Sequence, residues 1–271
     1  MDIQMFGRNK DEDSKMKGQS SVAIGSRQEH KNYLESLNSS PEMTQSFETL
    51  VSSLHLLSQS RPLRTVLVTS TQPGEGKTIV TVNLALTMVL MGKKVVLLDG
   101  DLRMPRLHRI FQLNNTLGLA DILSGRLGVQ EVIQTVTVTN GNTNNELKLS
   151  VIQSGIVASN LFNPKGTLKL KEMIENLKNV YDVTLFDSPP ILAVNDGLLM
   201  APLVDGVILV LNTGAVAEQD AKRAKERLTQ VGANILGVVM NRFDEELHGP
   251  GSHPYSSYYY TKNPRENRTP V

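Results

Sequence analysis

Nine residues, Ser70-Thr-Gln-Pro-Gly-Glu-Gly-Lys-Thr78, carry side-chain types and a spacing that bind phosphate. An apolar run, Val66-Leu67-Val68, precedes them, and a segment with helical spacing follows. A strand, a glycine-containing loop and a helix in that order turn backbone N–H groups toward an anion. In this arrangement Pro73, Gly74, Glu75 and Gly76 form the cradle, Lys77 reaches the outer phosphates and the Thr78 hydroxyl can ligate Mg²⁺. Thr71 stands where the usual pattern has its first glycine. The stretch implies a nucleotide site.

A phosphate cradle does not define a reaction, and two further acidic groups bear on that. Asp99 with Asp101, and Asp187, fall at the C-terminal ends of expected parallel strands, where open α/β sheets place their ligands. Phosphoryl transfer needs a cation to neutralise charge and a group to orient or deprotonate the nucleophile. Asp187, at the end of an uncharged strand, has the form of an acid that holds Mg²⁺ through water. Asp99 and Asp101 could serve the metal or act as the base. Together these residues imply magnesium-dependent hydrolysis or transfer of a nucleoside triphosphate. Arg103, Arg106 and Arg109 beyond them fit either a phosphate or substrate contact or a solvated basic turn. Lys165, Lys169 and Lys171 read as an exposed helix face, and His108 has no cluster of further ligands around it.

The elements that must position these groups can be read in order. Residues 1–40 are polar with little apolar periodicity and read as a flexible arm. Pro41 opens a helix in which Met43, Phe47, Leu50, Leu54 and Leu57 recur at three- and four-residue steps, either packed on the domain or forming an oligomer contact. Strands are expected at 65–69, 95–98, 182–187, 206–211 and 235–240, each nearly continuous in apolar and β-branched residues. Helices are expected at 76–91, 117–123, 164–178 and 216–231, the third with Leu168, Leu170, Met173, Ile174 and Leu177 on its apolar side. Between residues 136 and 149, alternation on both sides of Asn140-Gly141 predicts a hairpin whose second arm joins the sheet. The alternation of strands and helices predicts an α/β fold, a doubly wound and mostly parallel sheet flanked by helices. The domain then spans residues 41–245, and residues 246–271 form a flexible tyrosine-rich tail.

Composition narrows the setting. The 271 residues suit one large α/β domain with appendages, and a net charge of +1 gives no basic footprint, so no nucleic-acid partner is expected. The chain has no cysteine, which excludes disulfides and cysteine metal sites. Residues 1–19 lack the apolar core of a secretory signal, and no apolar stretch approaches the roughly 20 residues of a membrane span. A soluble protein is expected, with any membrane association made through a partner.

On these motifs the chain resembles the bacterial tyrosine kinases of capsule and exopolysaccharide synthesis, a P-loop class related to the MinD/ParA ATPases. The resemblance rests on residues 70–78 as Walker A, Leu97-Leu-Asp-Gly-Asp-Leu-Arg-Met-Pro105 as Walker A′ and Leu185-Phe-Asp-Ser-Pro-Pro190 as Walker B. Gly118-Leu-Ala-Asp-Ile-Leu-Ser-Gly125, Val204-Asp-Gly-Val207 and Gly237-Val-Val-Met-Asn-Arg242 extend it. It implies that Lys77 and Thr78 bind ATP phosphates and Mg²⁺ and that Asp187 binds the metal. Asp99 and Asp101 would share metal binding and deprotonation of an incoming tyrosine, and Asn241 would contact adenine. Tyr255, Tyr258, Tyr259 and Tyr260, four of the chain's six tyrosines, match the family's autophosphorylation cluster, presented in trans to a neighbouring copy. The implied partners are other copies of the chain, a membrane adaptor or chain-length regulator that activates the kinase, and a protein-tyrosine phosphatase. The implied location is cytoplasmic, at the inner face of the membrane through that adaptor.

Three departures concern how the acceptor is presented. The family's Glu-x-x-Arg-x-x-Arg ring contact is replaced by Gln45, Glu48 and Val51, which removes most of its charge pairing. Its Pro-Pro-Asn-Pro segment keeps only Asn163-Pro164, and the tyrosine cluster is short. Two other readings use the same nucleotide site: a MinD/ParA-like ATPase switch and an ATP-binding scaffold. Against the switch, Gln72 stands where its signature lysine belongs, and the tail is rich in Tyr, Pro and Gly where a basic membrane helix would be expected.

Overall fold

The computed structural model describes residues 41–139, 146–157 and 161–242. The N-terminal arm, the Asn140-Gly141 turn and the four tail tyrosines fall outside these residues. In chain order the elements are α1 (Pro41–Ser60), β1 (Thr65–Ser70), α2 (Lys77–Leu90), β2 (Val95–Asp99), α3 (Leu107–Ile110), α4 (Leu119–Ser124) and α5 (Val129–Val132). They continue with β3 (Ile133–Thr139), β4 (Glu146–Ile152), α6 (Pro164–Lys178), β5 (Val183–Asp187), α7 (Asp196–Met200) and a 3₁₀ turn (Ala201–Leu203). β6 (Gly206–Asn212), α8 (Glu218–Gln230) and β7 (Ile235–Asn241) complete the described chain.

The seven strands form one sheet in the order β3-β4-β2-β5-β1-β6-β7. Every pairing is parallel except β3 with β4, the two arms of the expected hairpin. Strands β1 and β2 are buried along their whole length, which explains why their sequences are apolar without alternation. Each face of the sheet packs a hydrophobic layer. On one side Val68, Leu97 and Leu185 meet α2, with Val51 and Leu54 of α1 behind it. On the other, Leu98, Ile152 and Phe186 meet α4, α6 and α8 through Leu119, Leu170 and Leu228. This is the doubly wound, mostly parallel architecture that the alternating sequence predicts. Among the described residues, no helix is long and apolar enough to cross a membrane.

The structure corrects the expected helix faces in three places. Leu168 is 56% exposed, because α6 buries Gly166, Leu170, Met173, Ile174 and Leu177, and a residue two positions from Leu170 points to the opposite side. In α1 the buried stripe is Val51 and Leu54, with Phe47 and Leu50 half-covered, while Met43 and Leu57 are exposed. Helix α8 is shorter than expected at both ends and buries only Ala224 and Leu228. The one-turn helices α3, α5 and α7 carry no periodic signal over so few residues and are absent from the sequence-based expectation.

Candidate active site

The loop between β1 and α2 is held in shape by its own residues. Gly74 and Gly76 adopt positive φ angles of 86° and 91°, a conformation that L side chains rarely take. A Cβ on Gly76 would also lie 1.9 Å from Nδ2 of Asn241. That nitrogen donates to the Glu75 carbonyl at 2.9 Å, so the end of β7 is tied to the loop. Glu75 is buried, and its carboxylate accepts from the Thr71 N–H at 2.7 Å and from the Thr71 hydroxyl. Thr71, in the position where the usual pattern has glycine, therefore closes the loop from within. The Glu75 side chain is thereby folded back into the loop. Below the loop, the Ile191 and Leu192 N–H groups donate to the Ser70 and Thr71 carbonyls, which fastens it to the segment after β5.

Sheet register brings the acids to this loop. Asp187 is paired with Asp99 of β2 on one side and Val68 of β1 on the other, at the C-terminal ends of adjacent strands. The two carboxylates have different roles. One Asp99 oxygen accepts from the Asp101 N–H at 3.2 Å, and the other from the Arg106 and Leu107 N–H groups at 3.0 Å each. Asp99 thus shapes the 101–107 loop and the start of α3, and it does not line the cleft. Asp101, on that loop, does line it, and places Oδ2 3.3 Å from Nζ of Lys77 while Oδ1 accepts from the Met104 N–H. Both members of this ion pair are buried.

Asp187 is 1% exposed, and among the described residues neither of its carboxylate oxygens has a hydrogen-bond partner of normal geometry, although the Thr78 hydroxyl is close enough to favour the charged form. Burial pushes its pKa up, to about 6, with the Lys77 ammonium as the main opposing influence. Burial and then the neighbouring Asp187 push Asp99 up as well, to about 8, against the pull of the Leu107 and Arg106 amides. A buried carboxylate without donors costs free energy unless a cation completes it. The available donors are hard oxygens: Asp187, Asp101 and the Thr78 hydroxyl at the start of α2. Among the described residues no three His, Asp or Glu side chains converge on one point. This donor set fits Mg²⁺, which retains waters and shares phosphate oxygens where Ca²⁺ or Zn²⁺ would require a protein cage.

Asp101 and the loop open on a cleft of about 730 Å³. Lys77, Thr78, Asp101 and the Gly74–Gly76 turn form its floor, and Arg103, Arg106, Arg109 and Arg242 add positive charge to its walls. All three arginines of the 103–109 stretch therefore face the cleft. Lys169 pairs with Glu172 at 2.7 Å on the outer side of α6, away from it. Arg242 closes the 237–242 motif of the sequence, which gives it no role of its own. It has a positive φ of 55°, and its signal was its position directly after Asn241, the residue packed on Gly76. His108 lines the cleft with its Nδ1 buried and, among the described residues, unpaired, and burial lowers its pKa. The arrangement can hold a polyphosphate, neutralise its outer end and keep a carboxylate beside that end.

Comparison with known proteins adds chemistry to this geometry. Residues 63–236 match a family described as an AAA domain. The chain is 33% identical over 220 residues to the tyrosine-protein kinase YwqD of Bacillus subtilis (strain 168), covering 81% of this chain and 87% of that one. The solved kinase domain of the Escherichia coli tyrosine kinase ETK superposes with a TM-score of 0.65 at 27% identity, over 79% of this chain and 82% of that one. The septum site-determining protein MinD of Pyrococcus horikoshii OT3, complexed with Mg-ADP, superposes with a TM-score of 0.53 at 27% identity, over 67% and 71%.

Proposed function

The chain belongs to the tyrosine-protein kinase family and is itself a tyrosine-protein kinase; from that premise we propose that it phosphorylates Tyr255, Tyr258, Tyr259 and Tyr260 of a second copy, in trans, from ATP. The observation that carries this reading is the buried Lys77–Asp101 pair at 3.3 Å, set beside the partnerless Asp187 carboxylate at the phosphate loop.

The main-chain N–H groups of the Gly74–Gly76 turn and the α2 N-terminus hold the phosphates, and Lys77 pairs with the γ-phosphoryl oxygens. Asn241, at the end of β7, marks the side on which adenine lies. Thr78, Asp187 and Asp101 are the residues that would hold Mg²⁺. When bound, the metal neutralises charge on the β- and γ-phosphate oxygens. The phenolic oxygen bonds to the γ-phosphorus as the bond from that phosphorus to the bridging oxygen breaks, and ADP leaves with the electron pair. Asp101, open to the cleft, accepts the phenolic proton. Asp99 keeps the 101–107 loop, and with it Asp101, in place.

Regulation follows the family's pattern. The kinase acts on capsular or exopolysaccharide synthesis or export, is activated by the cytosolic tail of a membrane adaptor, works at the inner face of the membrane and is reset by a protein-tyrosine phosphatase. Peptide mass spectrometry after incubation with ATP and Mg²⁺, with and without an adaptor tail, tests the proposal, with Lys77→Met as the blank. Phosphate confined to residues 255–260 of the wild type is the expected result. ATP turnover without phosphotyrosine under both conditions would instead assign a MinD-like switch.

A further inference from the structure

A separate hollow, of about 280 Å³, lies under the C-terminal half of α1, at the far end of the sheet from the phosphate loop. Val66 at the start of β1, Val183 at the start of β5 and Met88 near the end of α2 form its floor. From this end β1 runs its length to the phosphate loop, about 20 Å at roughly 3.3 Å per residue. The hollow is no part of the nucleotide site.

Helix α1 roofs it with Val51, Leu54, His55 and Ser58, which share one face at helical spacing. Val51 and Leu54 are buried, but where the hollow opens the same face presents His55 and Ser58. The adjacent Leu56 and Leu57 turn outward, 64% and 44% exposed. A face that served only to pack on the domain would keep its apolar residues at those inner positions. The hollow is therefore apolar within and polar at its mouth.

The polar groups of the interior are already engaged. The Asp182 and Val183 N–H groups donate to the Lys94 carbonyl, the Thr184 N–H to the Arg64 carbonyl, and the Ser58 hydroxyl to the His55 carbonyl at 2.8 Å. The body of a ligand seated here must then be apolar. The mouth asks for the opposite. Arg64 and Lys93 are exposed residues that also line the hollow, as long cations do when they lay their stems on apolar surface. A terminal nitrogen of Arg64 donates to the Lys178 carbonyl at 2.7 Å, whereas among the described residues no acid pairs with Lys93. Asp182 is the one acid among the described lining residues, and one of its oxygens accepts from the Lys94 N–H at 2.8 Å. Two permanent cations thus face one carboxylate that is already engaged.

We propose that this hollow binds a small amphiphilic carboxylate. Its single aliphatic chain lies against Val51, Leu54, Val66 and Met88, and its carboxylate meets Lys93 beside Arg64. The volume falls at the lower edge of the roughly 300–1,000 Å³ of small-molecule sites, which suits a chain of about eight carbons and leaves no room for a two-chained lipid. The proposal is independent of the kinase reading.

The test is isothermal titration calorimetry of the full chain with octanoate, hexanoate and 1-octanol. Octanoate should bind at one site per chain, and hexanoate, two methylenes shorter, about tenfold more weakly. Lys93→Glu reverses a charge at an exposed position of the mouth. It should weaken octanoate about fivefold or more and leave 1-octanol within about twofold of the wild type. Ser58→Phe fills the hollow from α1 and should abolish binding of both. Absence of octanoate binding at 5 mM overturns the proposal, and so does binding that Lys93→Glu leaves unchanged. Octanol bound as tightly as octanoate by the wild type overturns the carboxylate's role. Should Ser58→Phe fail to fold by circular dichroism, Lys93→Glu and the chain-length comparison decide alone.

Discussion

Asp187 and Asp205 stand at opposite ends of the strands of the same sheet and are satisfied in opposite ways. Asp205, just before β6, accepts from the Arg64 N–H, the Thr65 N–H and the Thr65 hydroxyl at 2.9 Å each, and its other oxygen lies 3.2 Å from Nζ of Lys178. Partial burial pushes its pKa up, but the Thr65 hydroxyl, the Arg64 amide and the Lys178 ammonium outweigh this and bring it below the usual carboxylate range. Asp187, at the C-terminal end of β5, is buried more deeply, has no well-formed hydrogen bond among the described residues, and is raised to about 6 by burial against the weaker pull of Lys77 and the Thr78 hydroxyl. An acid whose oxygens are all engaged by its own chain is structural. An acid kept buried and partnerless is held ready for something that the chain does not supply.

Substituting the two acids should separate function from stability. Asp187→Asn removes the charge that Mg²⁺ requires, so phosphotransfer should fall about a thousandfold or more. The same change relieves an uncompensated buried carboxylate, and the melting temperature of the nucleotide-free protein should rise by roughly 3–6 °C. Asp205→Ala should do the reverse. It leaves the Arg64 and Thr65 amides unpaired and should cost about 2–4 kcal/mol in denaturant unfolding. Its phosphotransfer per folded molecule should stay near wild type. A stabilised, fully active Asp187→Asn would end the comparison.

The pH dependence of stability gives a second contrast, in which the two strand ends carry opposite signs. Asp187 and Asp99 have folded pKa values raised to about 6 and about 8, so between the unfolded value near 3.8 and these values the folded state holds protons that the unfolded chain has lost. Their contribution is complete below the unfolded pKa and is lost as pH rises through about 6 to 8. Asp205 is depressed, so its contribution is present above the unfolded pKa and is lost as pH falls through its folded value. Melting of the metal-free wild type should therefore decline from pH 5 to pH 8.5, and Asp187→Asn should flatten that decline. An equal decline in both proteins would mean that Asp187 titrates normally in the fold.

The parts of the molecule legible in the sequence are those that depend on repeated local patterns. Buried parallel strands are apolar on both faces, so β1, β2, β5 and β6 stand out, and the strand–loop–helix order locates the phosphate site. Which acid faces the cleft was not legible. Asp99 and Asp101 are separated by one residue, and only the path of the 101–107 main chain turns the first inward and the second outward. Glu75 gave no sign that its carboxylate would fold back on Thr71.

The smallest expected effect probes what makes Asp205 structural. Its visible partner is Lys178, but that lysine is also 3.3 Å from Glu175 and is partly open to solvent. A charge pair in such a setting is screened and must hold a long side chain in one rotamer, so it contributes little. The Thr65 amide belongs to a fully buried residue, so it cannot turn to solvent if Asp205 is lost. Lys178→Ala should therefore cost only about 0.5–1 kcal/mol, and that cost should shrink further in 1 M salt, while the Asp205→Ala deficit persists. Equal losses for the two variants, both abolished by salt, would make Asp205 an ion-pair residue and not an anchor for main-chain amides. The distinction from Asp187 would then rest on charge pairing and not on main-chain satisfaction.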